Sequence, residues 1–575
     1  MTDRRRSATP GPLRVGLLLP SLDVPAWVWT AIRDVNASGD AEVVAVAIAG
    51  GPDGRKAGTV AGGPGKRAFR GALRRVDELV ERRIPVDEDA YLTKDARPLV
   101  EGVPVLRLRR MPGSPRRFAT ADVAALSAHN LDVLLWLGDR GGPRGAVLRA
   151  ARAGTWSFHL GDPDGRRGGP SGFWEVHERW PVTGAALEIL ADDPDRNQIL
   201  GRTSTATMPT SLKRTRNALI WTALPLLGRS LGELRREGVE GFLARVGHEN
   251  AAPSFYSNPR FRSPSGTDLV VHAARRTARL AGRIARKGLV RQQWILYYGL
   301  ADDLVQACWR LRPLVPPPDR FWADPHVLEV GGRYYVFVEE LLFARGRGHI
   351  SVIEIEPDGR SSPARTVLEE PHHLSYPFVF EHEGEIYMVP ESGQRATVDL
   401  YRATSFPDQW TFVEHLMTGI EAYDATLLRE HDRWWLFASV IRYKGAGSGE
   451  LNLYFSDRLI GGDWHLHPAS PLSSLVTGAR PAGAILRRDG RLYRPAQDGS
   501  GLYGRAIRLH EILELTEDTY REQLVSSIEP AWNGRISRTH TLAHAGRLTV
   551  LDALRTRSRW PMPTDQVRRS PTASS

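Results

Sequence analysis

GGRYYVFVEE (331–340) is a glycine turn followed by an apolar, aromatic-rich strand, and the chain repeats that phrase four more times. The later copies read EGEIYMVPES (383–392), DRWWLFASV (432–440), DGRLYRPAQD (489–498) and AGRLTVLDAL (545–554). An interval of about 50 residues belongs to propellers and other repeat folds. Each phrase follows another short strand: PHVLEV (325–330), PFVFEH (377–382), ATLLRE (425–430), GAILRR (483–488) and HTLAHA (540–545). A third strand follows in four units: ISVIEIE (350–356), TVDLYRA (397–403), LNLYFS (451–456) and YGRAIRL (503–509). A tryptophan element, DQWTFVEHL (408–416) or GDWHLHPAS (462–470), closes two of them. Five such units predict an all-β five-bladed propeller over residues 293–560. Its entry is marked by RQQWILYYG (291–299) and LVPPPDRFWADP (314–325), because prolines cannot continue a helix.

Outward from the repeat, residues 13–205 alternate short apolar strands with helical stretches. RVGLLLPS (14–21), EVVAVAIAG (42–50), LDVLLWLG (131–138) and TWSFHLG (155–161) read as strands. VPAWVWTAIRDVNAS (24–38) and GAVLRAARAG (145–154) read as helices. That order predicts an open, largely parallel α/β sheet. The Gly-, Lys- and Arg-rich stretch 52–70 reads as a loop without phosphate-cradle spacing. Residues 206–292 read as a helical connector with a Pro/Ser-rich loop near 252, and 1–12 and 561–575 as disordered tails.

The chain of 575 residues is too long for one core. A single cysteine, Cys308, excludes an internal disulfide framework and fits a reducing compartment. No apolar run approaches membrane-spanning length, and the expected location is cytoplasmic. The net charge of +11 points to anionic company. It is densest in HAARRTARLAGRIARKGLVR (272–291), whose Leu and Ile recur at helical spacing, and a peripheral contact with an anionic membrane is expected there. No specific nucleic-acid partner is expected. No His/Cys cluster has metal-ligand spacing, and adjacent His372 and His373 would face opposite sides of a strand.

Equivalent positions in related blades point to the same place. Asp324, Tyr376 and Asp424 each lie ten residues before the corresponding residue of the repeated phrase (Tyr334, Ile386, Trp434), so they should converge on the axis. Arg480, Arg494, Arg538, His326 and His540 are further axial candidates. Burying so many charges in a purely structural core would be costly, so an acidic or phosphorylated saccharide, a sugar phosphate or a nucleotide sugar is the expected ligand. Tyr334, Tyr335, Trp434 and Trp435 are expected to pack between blades.

Two resemblances add to this reading. FWADPHVLEVGGRYYVFVEE (321–340), LSYPFVFEHEGEIYMVPES (374–392) and GRLYRPAQD (490–498) resemble the propeller of glycoside hydrolase family 43 and the N-terminal domain of plant glucosamine inositolphosphorylceramide transferases. The resemblance implies Asp324 as general base and Asp424 as the carboxylate that orients and tunes. The hydrolases' general acid would fall in GARPAGAIL (478–486), where this chain has Arg480 and no carboxylate. Such hydrolysis needs two carboxyls, and Glu391, Glu339 or Glu340 could complete the pair.

The passage GTWSFHLGDP (154–163), RGGPSGFWEVHERW (167–180), PVTGAALEIL (181–190) and ADDPDRNQIL (191–200) resembles the formyltransferases. It implies a Rossmann-like fold over 13–205, His159 and Asp195 as catalytic residues and a tetrahydrofolate derivative as formyl donor. Ser157 stands where that family has its oxyanion-binding Asn, and Leu160-Gly161-Asp162-Pro163 replaces its Ser-Leu-Leu-Pro. Three functions therefore stand side by side: glycan or glycolipid biosynthesis and modification, a non-catalytic carbohydrate-binding scaffold, and N-formyl transfer to an amino sugar.

Overall fold

A computed structural model describes residues 11–49, 87–138, 142–161, 170–252 and 264–558. The predicted loop 52–70 and both tail ends lie outside them. The chain splits into two compact units, 1–273 with 443–448, and 274–442 with 449–575.

The first unit is built on a seven-stranded sheet. Its order is Val105–Arg107, Ala41–Ile48, Leu13–Leu19, Val133–Trp136, Thr155–Leu160, Val182–Ile189, Gln198–Ala206. The first five run parallel and the last two are antiparallel. Strands buried on both faces read as unbroken apolar runs, which is why LLL (17–19) and VLLW (133–136) carry no polar alternation. The helices Ala26–Ala37, Leu212–Ala223 and Pro225–Glu249 cover the sheet with Val28, Ile32, Ile220, Trp221 and Leu231. The expected helix at 145–154 is only a 3₁₀ turn, Gly145–Arg149. Ala151 instead bridges to Leu131, and Gly154 turns the chain with φ +82° directly into the next strand.

The second unit is a five-bladed propeller. Blade one is Arg320–Val330, Arg333–Leu342, Gly348–Ile355 and Arg365–Leu368. Blade two is Ser375–His382, Glu385–Glu391, Thr397–Ser405 and Gln409–Thr418, and blade three is Ala422–Glu430, Arg433–Val440, Glu450–Ser456 and His465–Leu466. Blade four holds Arg480–Pro481 and Leu486–Arg488 on its inner edge, then Arg491–Asp498, Ala506–Leu515 and Tyr520–Ile528. Blade five is Leu542–Ala545 and Leu548–Ser558, followed by two strands from earlier in the chain, Val290–Leu300 and Arg312–Leu314.

That borrowing explains the missing third strand of the fifth unit. RQQWILYYG pairs along its whole length with Leu548–Ser558, from Val290↔Ser558 to Leu300↔Leu548. The ring is therefore closed by hydrogen bonds between its two ends, which leaves no open seam. The aromatic residues of the repeat do pack between blades. Tyr334 is buried with Ala543 and Val550, Trp434 with Phe378 and Tyr387, and Trp435 with Ile512 and Leu515. Tyr335 meets Phe406 edge to face at 4.7 Å.

Candidate functional site

Blades one to three break their inner hairpin at the same place. Pairing jumps from Ala323 to His326, from Ser375 to Phe378 and from Tyr423 to Thr426. Each break is a β-bulge, and its first residue is left-handed: Asp324 φ +50°, Tyr376 φ +42°, Asp424 φ +53°. A bulge re-aims a side chain out of the strand's alternation. A left-handed Asp or Tyr is strained and persists only where surroundings enforce it. The ten-residue offset seen in the sequence is thus one backbone device used three times. All three side chains are buried.

Beside the bulges runs a second set of polar residues. Glu339, Glu391, Ser439 and Gln497 face Ala323, Ser375, Tyr423 and Arg480 across the first two strands of blades one to four. Gln497 and Ser439 escaped the sequence reading. Their signal was a polar residue at the end of an otherwise apolar strand, at the same register in each repeat.

Asp424, Glu391 and Arg480 form one cluster. Arg480 Nε is 2.5 Å from Asp424 Oδ2, and Nη2 donates to Asp424 Oδ1 at 3.1 Å and to Glu391 Oε2 at 3.2 Å. Gln497 Nε2 donates to Asp424 Oδ2 at 2.8 Å. Tyr423 and Tyr503 flank the guanidinium, 5.4 and 5.2 Å from its central carbon. Burial disfavours the Asp424 carboxylate, but Arg480 more than offsets it and holds the group below its usual pKa. Burial, reinforced by the Asp424 charge, pushes Glu391 well above the carboxylate range. Two neighbouring carboxyls are thereby driven to opposite protonation states, the arrangement that separates an acid from an anion.

Asp324 sits in a second cluster. Its Oδ1 accepts from Thr541 Oγ1 at 3.0 Å and lies 3.3 Å from His540 Nε2. His540 Nδ1 lies 2.6 Å from Asp552 Oδ2, and Asp552 Oδ1 accepts the backbone N–H groups of His540 and Thr541 at 2.9 and 3.0 Å. Trp294 stacks on the imidazole at 4.2 Å. Burial raises Asp324 to about 7 against the pull of His540, helped by Glu339, Asp424 and Asp552. Burial works against a charged His540, but Asp552 and Asp324 overcome it and raise it to about 9. Thr541 and Asp552 were missed in the sequence because in the fifth unit the ten-residue offset from Leu548 falls on Arg538 instead. Asp324, His540 and Asp552 also present atoms within 4.8 Å of one another, the grouping among the described residues that could hold a metal ion. No His/Cys spacing announces it, since its three members come from two blades.

Tyr376 ties the blades together. Gly483 N–H donates to its hydroxyl at 2.7 Å, the hydroxyl meets Thr426 Oγ1 at 2.8 Å, and Thr426 donates to the Asp424 carbonyl at 3.2 Å. Position 483 has to be glycine: φ is +128°, and a Cβ there would lie 1.9 Å from the Leu542 carbonyl oxygen. Tyr376→Phe should cost about 1–3 kcal/mol by orphaning a buried N–H. Chemical denaturation measures it, and an unchanged midpoint contradicts this role. His326 lies edge to face on Tyr376 at 4.4 Å, and burial lowers it to about 4, so it is a neutral imidazole.

Other expected site residues fall elsewhere. Arg494 does not join the cluster. Its Nη2 and Nε bind Glu522 at 2.7 and 2.8 Å inside blade four, and Tyr520 donates to the same carboxylate at 2.6 Å. Glu340 is a structural anion, held to about 2 against burial by His349, Ser351, Arg320 and Trp322. Glu339 pairs with His373 Nε2 at 3.3 Å. Arg538 donates to the Tyr503 carbonyl at 3.3 Å and has no carboxylate partner among the described residues. Tyr503 in turn lays its ring on the Arg480 guanidinium, which links Arg538 to the cluster.

The formyltransferase-like residues lie at different levels of one hairpin. His159 pairs with Ala186, whereas Asp195 lies in the turn Pro194–Arg196 beyond the Ile189↔Gln198 end of that hairpin. Three residue pairs separate the two levels, about 10 Å of strand. The carboxylate meant to fix the His159 tautomer is at the wrong end of the strand, and Ser157 lies buried opposite Glu188. Asp162 and Pro163 lie outside the described residues.

Residues 304–550 match the family model for glucosamine inositolphosphorylceramide transferase 1, N-terminal. The match contains Asp324, Tyr376, Glu391, Asp424, Arg480 and His540. A glucosamine inositolphosphorylceramide transferase 1 from Oryza sativa subsp. japonica is 37% identical over 251 residues, 41% of this chain and 33% of that one. The protein of that name from Arabidopsis thaliana is 34% identical over 225 residues, 38% of this chain and 29% of that one. The chain thus spans about a third of the length of these curated relatives. Among solved structures, a family 117 glycoside hydrolase from Zobellia galactanivorans matches with a TM-score of 0.31 and 13% identity, over 46% of this chain and 91% of that one. An exo-β-1,3-galactanase from Clostridium thermocellum matches with a TM-score of 0.31 and 13% identity, over 45% and 62%. Likeness at that level carries no argument about chemistry.

Proposed function

We propose that the chain serves glycan or glycolipid biosynthesis or modification, and that its propeller axis binds a saccharide and exchanges a proton with it. One observation carries this reading. Bulges in blades one and three deliver Asp324 and Asp424 to clusters in which Asp324 and Glu391 are biased toward the protonated form while Arg480 keeps Asp424 ionised. A carboxyl poised near neutrality is suited to general acid–base catalysis.

In this scheme Asp324 accepts the proton of a sugar hydroxyl, Glu391 donates one to a departing oxygen, and Asp424 and Gln497 hold the ring through its remaining hydroxyls. The names of the matched relatives support a glucosamine unit and an inositol phosphate group as the ligand chemistry. An acidic or phosphorylated saccharide fits the outer edge of the site. Arg480 keeps 30% of its side-chain surface exposed, and among the described residues its Nη1 has no partner and Arg538 has no counter-ion. Inside, ionised Asp424 already balances Arg480, so the charged group of the ligand belongs at the rim and the sugar ring within.

Saturation-transfer NMR on the full chain with glucosamine and with inositol phosphate tests this. Signal is expected from at least one probe and should vanish in Arg480→Gln. No transfer from either probe overturns the reading. The scaffold alternative rests on Arg480 occupying the hydrolases' acid position. Binding that persists in every axial variant without any turnover would favour it.

A further inference from the structure

We infer that the second half of the helix Gly266–Leu289 is a docking surface for an anionic lipid bilayer. From Ala281 to Leu289 every residue whose side chain is described is exposed. Ile284 exposes 72% of its surface and Leu289 58%. At helical spacing Leu280 and Ile284 are neighbours on one face, with Ala281, Ala285 and Gly288 beside them. From Ala281 onward this helix buries no described side chain, so an exposed isoleucine among small residues there has no role in holding the fold.

The charge around this stripe has one sign. Between 272 and 291 the sequence holds seven Lys and Arg and no Asp or Glu. Arg283 and Arg286 flank the stripe, and neither has an ion-pair partner among the described residues. The helix runs straight into Val290–Leu300, where Arg291 lies over the Phe343 ring and has no carboxylate partner among the described residues. Arg286 lies close enough to Arg538 to disfavour its charge, after burial, so uncompensated guanidinium groups extend from the helix toward the rim of the axial site. No helix among the described residues is long and apolar enough to cross a membrane. A short apolar stripe bordered by arginines instead lies in the interface, its apolar side among the acyl chains and its guanidinium groups on lipid phosphates. Charge complementarity therefore selects a bilayer rich in anionic phospholipid.

Flotation of the full chain with vesicles tests the assignment. One set is phosphatidylcholine alone and the other contains phosphatidylserine as well. Binding is expected on the anionic vesicles, weakened by salt, and at least about tenfold weaker on the neutral ones. The Arg283→Glu/Arg286→Glu pair should lower affinity for anionic vesicles by about tenfold or more, and Ile284→Asp should do so without reducing net positive charge by more than one. These residues are exposed, so unchanged circular dichroism and melting are expected. Equal binding to both vesicles, no binding to either, unaltered binding by the variants, or equally tight binding to duplex DNA overturns the inference. Saccharide binding at the axis is read separately by NMR and survives any of these outcomes.

Discussion

Asp324→Asn should reduce turnover on the bound saccharide by about 10²–10⁴ while leaving the fold intact. Asparagine is the appropriate probe because it tolerates the left-handed backbone at φ +50° and keeps a partner for Thr541 Oγ1. The effect should be in kcat, because the group exchanges a proton rather than anchoring the ligand. The pH profile gives a second readout. If Asp324 acts as base, activity rises as pH rises through about 7, where burial has placed its carboxyl. That limb should disappear in the variant. Retention of both rate and limb would show that Asp324 holds the axis together and takes no part in chemistry.

Arg494→Met should destabilise the propeller by about 3–5 kcal/mol, because it strands Glu522 in the core of blade four. The guanidinium is 1% exposed, and its partner 14%. Burial works against ionised Glu522, and Arg494 outweighs it, so the folded pKa lies below the unfolded value. A group depressed in this way contributes stability that is present above its unfolded pKa, near 4.3, and is lost as pH falls through the lower folded value. In the variant the carboxyl no longer has its cation and resists ionising. The gap between variant and parent should therefore be widest at neutral pH and narrow below about pH 4. Denaturant titrations at several pH values measure this, and a gap independent of pH would contradict the pairing.

Arg494 shows where the sequence stops being readable. It occupies an equivalent stretch of the repeated phrase, and its charge invited an axial role. Yet strand alternation sends Arg494 to the side where Glu522 waits on the outermost strand, a partner 28 residues away with no local signal. Asp324, Tyr376 and Asp424 were legible because a repeat converts sequence offset into spatial equivalence, and the shared bulge makes that conversion hold. Glu391 was visible only as one of several spare carboxylates. Its neighbours separate it from Glu340: Glu391 accepts from a shared arginine and the Asp424 backbone N–H, whereas Glu340 is saturated by four side-chain donors. The borrowed strand Val290–Leu300 was legible as the way into the propeller but not as the third strand of blade five, because its partner lies about 250 residues later. In the first unit, motif order suggested a His–Asp pair that the hairpin register separates. Order along a chain does not specify which end of a strand a loop occupies.

A crystal structure of the full chain with a saccharide bound is the most direct trial of the account. The sugar ring should lie at the propeller axis, within hydrogen-bond reach of Asp324, Glu391 and Asp424, with any phosphate turned toward Arg480 and Arg538. A saccharide seated on the outer face of a blade or in the first unit, with the axial carboxyls untouched, would contradict it.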